Sequence, residues 1–226
     1  MLNSGIESYL NEGERRYLNE LVERKPELIV IQDKILDAYL CLRKCYCNKG
    51  KLLIAGNGGS ASDAEHIAGE LMKSFVLPRK ISTELAERLL KIDEKRGSWL
   101  KKDLEMPLTA IPLVAHEALS TAYMNDVSAE NVFAQQLLGY GQRGDVFLGI
   151  STSGNSSNVI QAAIVAKAIG ARVIALTGNG GGDLAKYADI LVNVPENKTY
   201  LIQEIHLPIY HCWCLMLEEH FFGSEG

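Results

Sequence analysis

A short apolar run, Asp145-Val146-Phe147-Leu148-Gly149-Ile150, passes directly into Ser151-Thr152-Ser153-Gly154-Asn155-Ser156, and a helical pattern follows over residues 158–169. The same grammar occurs earlier. Residues 51–55 read as a buried strand, Gly56-Asn57-Gly58-Gly59-Ser60 as a loop, and the stretch through His66 and Glu70 to Met72 as a helix. Further strands are expected at 108–114, 172–176 and 190–194, with a glycine-rich turn at 177–182. Strands alternating with helices require crossover connections. The expected fold class is therefore α/β: a parallel sheet flanked by helices on both faces, an α/β/α sandwich with ligands at the carboxyl ends of the strands.

Residues 1–48 are expected to form N-terminal helices. Leu10, Tyr17, Leu21, Leu28, Ile31, Ile35, Tyr39 and Leu42 recur at roughly helical spacing from Ile6 to Cys47, and Pro26 divides the stretch into two. The apolar faces of these helices need a partner, for which another subunit is one candidate. Residues 78–107 are charged, bounded by Pro78 and Pro107, and helical near 83–100. They read as an excursion from the core fold: a lid, an interface element or a solvated surface insertion. Residues 116–123 read as a helix or turn. Residues 202–221 read as a closing amphipathic helix, with Pro208 expected to bend it or to mark its first turn.

Bulk properties narrow the function. The chain of 226 residues carries a net charge of −5 and a pI near 5.6, which disfavours a nucleic-acid-binding surface. No apolar run approaches the roughly 20 residues that a membrane span needs. The first thirteen residues contain Glu7 and Glu12 and lack the apolar core of a signal peptide. A cytoplasmic location is expected. Five cysteines, Cys41, Cys45, Cys47, Cys212 and Cys214, are an odd count without metal-type spacing, so reduced thiols in or near the core are expected.

The 151–156 loop has the parts for holding a phosphate. A helix start leaves backbone N–H groups unpaired and favours an anion. Four hydroxyls, from Ser151, Thr152, Ser153 and Ser156, can donate to phosphate oxygens, and Gly154 permits close backbone approach. A polar helix cap would use the same residue types. Neither a Walker loop nor a dinucleotide fingerprint is present, so no nucleotide cofactor is expected.

Gly56-Asn57-Gly58-Gly59-Ser60 followed by Gly149-Ile150-Ser151-Thr152-Ser153-Gly154-Asn155-Ser156 resembles the SIS-domain phosphoheptose isomerases, over residues 1–77 and 108–222. The resemblance implies one SIS domain over residues 1–226 and a homotetramer with sites at subunit contacts. It implies an aldose–ketose isomerase taking sedoheptulose 7-phosphate to D-glycero-D-manno-heptose 7-phosphate through an enediol. Ser60, Ser151, Thr152, Ser153 and Ser156 would then grip the sugar phosphate, with Asn57, Gly58, Asp126 and Gln203 beside the sugar. A turn cap is an equal reading of Asp126.

Enediol chemistry needs an acid and a base near the carbonyl. The resemblance gives these roles to Glu70 and His211. His66 and Glu70, four apart, share a helix face. Gln203 and His211, eight apart, lie about 80° round an ideal helix and can point towards one region. His66, Glu70, Gln203 and His211 could hold one zinc ion, as in some members of the family. Taken singly, a solvated helix glutamate and a hydrogen-bonded core histidine would be the readier readings of Glu70 and His211; the two loops beside them favour the functional one.

One departure bears on the substrate. Family members carry an aspartate three residues before the glutamine, where this chain has Tyr200. A rival reading is a non-catalytic SIS protein like the DnaA initiator-associating protein, which lacks the acidic and histidine residues at the positions of Glu70 and His211. A sugar-phosphate-sensing regulator is a second rival. Such proteins usually add a basic DNA-binding module, and the N-terminal helices here show no basic excess.

Overall fold

The computed structural model describes residues 10–223. Five strands, β1 (Leu52–Ala55), β2 (Ala110–Pro112), β3 (Val146–Ser151), β4 (Arg172–Thr177) and β5 (Ile190–Asn193), form one parallel sheet in the order β2-β1-β3-β4-β5. The order reverses between β1 and β3, which pair from Leu52↔Val146 to Ala55↔Gly149. The crevice outside their carboxyl ends is where an open parallel sheet receives a ligand. Both candidate loops begin there, because each directly follows one of these two strands.

The residues of β1 and β3, and those of β4 after Arg172, are buried on both faces, and the pleat sorts them by parity. Leu52, Ile54, Leu148, Ile150, Ile174 and Leu176 face one helical layer, and Leu53, Phe147, Val173 and Ala175 face the other. The first layer holds α1 (Glu12–Arg24), α2 (Gln32–Cys47), α3 (Gly59–Met72) and α9 (Thr199–Phe222). The second holds α7 (Val132–Tyr140) and α8 (Ser157–Ile169). An exposed helix, α6 (Glu117–Asp126), leads towards α7.

The break at Pro26 is as expected, but a 3₁₀ segment, Pro26–Ile31, fills it. The N-terminal helices find a partner for their apolar faces within the chain itself. Leu18, Leu21, Ile35, Leu36, Tyr39 and Leu42 are buried in the chain's own core, with α9 packed against both helices. Trp213 Nε1 donates to Ile35 O at 2.9 Å. The expected helical start at Ile6 lies outside the described residues.

The excursion is a helical hairpin, α4 (Thr83–Ile92) and α5 (Glu94–Asp103), not one helix. Asp93 breaks it: its backbone is extended and its side chain caps α5 by accepting from Arg96 N at 2.8 Å. The hairpin's base is clasped by Met106 N donating to Arg79 O at 2.8 Å. Helix α9 starts earlier than expected, so Pro208 lies in its interior rather than its first turn. Of the thiols, Cys45, Cys212 and Cys214 are buried, Cys41 is half-buried and Cys47 is exposed.

Candidate active site

The Ser/Thr loop owes its shape to a second loop. Gly178 N donates to Thr152 O at 3.0 Å, Leu184 N to Gly154 O at 2.9 Å, and Asp183 N to Asn155 Oδ1 at 2.9 Å. Gly154 has φ +68°, and a Cβ there would lie 2.0 Å from Gly181 O. Gly182 answers it with φ +56° and a Cβ position 2.4 Å from Ser153 O. Held this way, Ser151 Oγ and Ser156 Oγ lie 2.9 Å apart, with Ser156 as the N-cap of α8. Ser151 is buried, Thr152 and Ser156 are half-buried and Ser153 is exposed.

Gly154→Ala is therefore expected to force the two loops apart. The left-handed backbone alone costs a side-chain-bearing residue about 1–2 kcal/mol, and the contact with Gly181 adds to it. Calorimetric affinity for a sugar phosphate should fall more than tenfold. Wild-type affinity in the alanine variant would refute this account of the loop.

The first loop meets the second through a reciprocal amide pair. Asn57 Nδ2 donates to Asn158 Oδ1 at 2.8 Å, and Asn158 Nδ2 to Asn57 Oδ1 at 2.9 Å. Gly58, at φ +56°, caps α3, and Ser60 is buried in its first turn. Gln203 packs on this end of α3, for a Cβ on Gly59 would stand 2.3 Å from Gln203 Nε2.

A separate cluster lies further along the same helix. His66 Nε2 is 3.2 Å from Glu70 Oε1 and 3.4 Å from His211 Nε2. Lys73 Nζ holds Glu70 Oε2 at 3.3 Å. The ring of Phe75 leans on His211 at 5.4 Å. Burial, reinforced by the neighbouring His66, lowers the pKa of His211, which favours its neutral form. Tyr210 closes the cluster from beneath: its hydroxyl donates to Asp63 Oδ1 at 3.1 Å and lies 3.1 Å from His66 Nδ1.

The expectation that Gln203 joins His66, Glu70 and His211 is corrected within one copy. Eight residues along α9 bring a small angular offset but also a rise of about 12 Å. Gln203 therefore sits at the Gly59 end of α3 while His211 sits with His66. The metal set is affected in the same way. The spacing of the two imidazole nitrogens suits an edge of a tetrahedron with Zn–N bonds of about 2.0–2.1 Å. Among the described residues, however, no group of three or more His, Cys, Asp or Glu side chains is arranged to hold a metal ion. Glu70 lies against His66, while Gln203 stands at the other end of α3 within one copy.

Asp126 ends α6, exposed, with its Oδ1 accepting from Asn125 at 2.8 Å. No described contact joins it to either loop. His206 is fully buried on α9, its Nε2 3.2 Å from Thr177 O at the end of β4. Burial lowers its pKa to about 4, so it stays neutral there. It links the helix carrying His211 to the strand that ends in the bracing loop. Three residues absent from the sequence reading thus matter: Asn158, Asp63 and Tyr210. Only their adjacency to the motif helices marked them. A cavity of about 890 Å³, lined by Lys44, Arg143, Arg172 and Asp189 among others, opens at the amino ends of the strands, away from this chemistry.

A parallel sheet with a hydroxyl-lined loop and a helix start at its switch point is the architecture of an α/β protein suited to an anionic ligand. A family model described as an SIS domain matches residues 104–178, which include β2, β3, the Ser/Thr loop and β4. Two curated relatives align over nearly their whole length. A probable phosphoheptose isomerase of Thermoplasma acidophilum is 38% identical, over 94% of this chain and 97% of its own. The phosphoheptose isomerase of Sulfurimonas denitrificans is 36% identical, over 93% and 98%. The solved phosphoheptose isomerase of Neisseria gonorrhoeae superposes with a TM-score of 0.68 at 33% identity, covering 91% of this chain and 93% of that one. The chain belongs to the SIS-domain phosphoheptose isomerase family.

Proposed function

We propose that this protein is a ketose–aldose isomerase acting on a sugar phosphate, with sedoheptulose 7-phosphate as its substrate and D-glycero-D-manno-heptose 7-phosphate as product. The carrying observation is the His66–Glu70–His211 cluster, in which His66 joins the Glu70 carboxylate on α3 to the His211 imidazole on α9. These are the groups an enediol reaction needs. One takes a proton from C1 of the ketose while the C2 carbonyl oxygen gains one. The resulting enediol then loses its O1 proton and receives a proton at C2, leaving the aldose. The phosphate would rest on Ser60, Ser151, Thr152, Ser153 and Ser156, with Asn57 and Gly58 beside the sugar. The non-catalytic SIS reading fits less well, because both proton-transfer residues are present and in contact with His66.

Ser60 and Glu70 are ten residues apart on α3, a rise of about 15 Å. That is longer than the carbon chain of one sugar. We therefore place each working site between copies: the phosphate seat, Gln203 included, from one copy and Glu70 with His211 from a neighbour. Met72, Val76 and Leu207 are exposed apolar side chains beside these residues, suited to such a contact. A homotetramer, in which every copy both gives and receives, satisfies this requirement.

The deciding experiment is an isomerisation assay with ketose phosphates of five, six and seven carbons, with and without a chelator. Turnover greatest on the seven-carbon substrate is expected. Tyr200, exposed at the start of α9 in place of the family aspartate, is the residue that a different preference would implicate. Activity lost to chelator and restored by zinc would assign an ion to the set His66, Glu70, Gln203 and His211. Failure on every ketose phosphate would leave the binding-protein reading in possession.

A further inference from the structure

The cavity of about 890 Å³ lies at the amino ends of β3, β4 and β5, at the opposite end of the sheet from the Ser/Thr loop. Its walls include Leu40, Cys41 and Cys45 of α2, with Val146 and Ile190, the first residues of β3 and β5. Three cationic side chains, Lys44, Arg143 and Arg172, also line it, each on an exposed residue.

The carboxylates at or beside the cavity already have cations. Asp37 Oδ2 is held by Lys34 Nζ at 3.2 Å, and Asp145 Oδ2 by Lys51 Nζ at 2.7 Å. Asp189 Oδ1 takes two, Lys167 at 2.7 Å and Arg172 at 3.2 Å, while its Oδ2 accepts from Val173 N at 2.8 Å. Among the described residues, Lys44 and Arg143 have no ion-pair partner. The remainder is therefore positive: Lys44, Arg143 and one of the two cations on Asp189. In a chain with a net charge of −5 this is a local reversal of sign. The carboxyl end of α2 would oppose an anion, but its carbonyls are engaged. Asn48 Nδ2 donates to Lys44 O at 2.8 Å, and Gly50 N to Cys45 O at 2.9 Å.

We propose that this cavity binds a small organic phosphate, with its phosphate oxygens on Lys44, Arg143 and Arg172 and its less polar body against Leu40, Val146 and Ile190. Small-molecule sites combine apolar walls with a few placed polar groups, in volumes of about 300–1,000 Å³. A guanidinium offers a phosphate paired N–H donors, and each such charged bond is stronger than a neutral one. Neither the Ser/Thr loop nor the His66 cluster reaches this end of the sheet, so the ligand is a second molecule and not the substrate. The inference does not depend on the isomerase reading.

Titration calorimetry on the full-length protein tests it, with ADP, inorganic pyrophosphate and adenosine as probes. ADP carries both charge and body; the other two carry one each. ADP is expected to bind at least tenfold more tightly than either. Lys44→Ala combined with Arg143→Ala should weaken ADP about 10- to 100-fold. Lys101→Ala, on the helical hairpin, should not. Ketose-phosphate turnover without ADP should stay within about twofold of wild type in the double variant. Gly154→Ala, which spoils the Ser/Thr loop, should leave ADP binding intact. If the double variant does not fold, Arg143→Ala alone gives the same reading, with a loss of at least threefold. Absence of ADP binding overturns the proposal, as does ADP binding no tighter than pyrophosphate. ADP binding lost in Gly154→Ala but kept in the double variant would assign it to the Ser/Thr loop, and equally overturns it.

Discussion

Glu70→Gln is expected to lower kcat for ketose-phosphate isomerisation by about 10³-fold, with His211→Ala giving a loss of the same order. General acid–base groups typically contribute 10²–10⁴-fold, and the amide keeps the volume of Glu70 while removing its basicity. The affinity of either variant for a sugar phosphate should change little, because the Ser/Thr loop is built from β3, α8 and the 178–184 segment, none of which touches Glu70. Activity within about threefold of wild type in either variant would remove that residue from proton transfer. Mixing extends the test. Glu70→Gln and Gly154→Ala each spoil a different half of a site shared between copies. Co-assembled, they should recover turnover in about a quarter of the sites, where two intact halves meet. If each copy held a complete site, no mixture of the two would regain activity.

Glu218→Gln carries the second large effect. Arg79 and Glu218 are both fully buried, paired Nε to Oε1 at 2.8 Å. The same carboxylate accepts from the backbone N–H groups of Phe75, Val76 and Leu77 at 2.7, 2.8 and 3.0 Å. Arg79 in turn donates to Leu71 O at 2.7 Å and to Glu70 O at 3.0 Å. Removing the negative charge strands a buried guanidinium, which costs about 3–5 kcal/mol. In a chain of this size that lowers Tm by roughly 10 °C. Catalysis should also suffer, since the strap that Glu218 secures carries Phe75 against His211. Making both partners apolar should not restore stability, as it often does for buried pairs, because three backbone donors would remain unpaired. A Tm within about 2 °C of wild type in Glu218→Gln would refute this role.

Much of the architecture was legible in the sequence. The strands announced themselves as apolar runs because parallel strands are covered on both faces, and the two loops because each breaks such a run with glycine and hydroxyl residues. Helix α7 was missed: Val132, Phe133, Ala134, Gln136 and Leu137 are all buried, so it shows little of the polar contrast that reveals a helix. The hairpin was read as one helix because Asp93 looked like an ordinary charged position, although it serves as a cap. His66 and Glu70 were grouped correctly, since one helical turn relates them. Gln203 and His211 differ little in angle round α9, but the rise between them puts Gln203 at the Gly59 end of α3 and His211 beside His66. Asp63 and Tyr210 are 147 positions apart, and nothing local could have joined them.

The bracing of the Ser/Thr loop has a consequence for heredity. Its conformation is specified jointly by two stretches some thirty residues apart, and each leaves no room for a side chain on the other at Gly154 and Gly182. A mutation in either stretch is thus judged against atoms encoded elsewhere, and drift in one must be answered in the other. Transplanted alone onto a foreign strand end, residues 151–156 would bring their hydroxyls but not their curvature. What evolution can copy from this protein is the interlocked pair of loops, not the motif by which it is recognised.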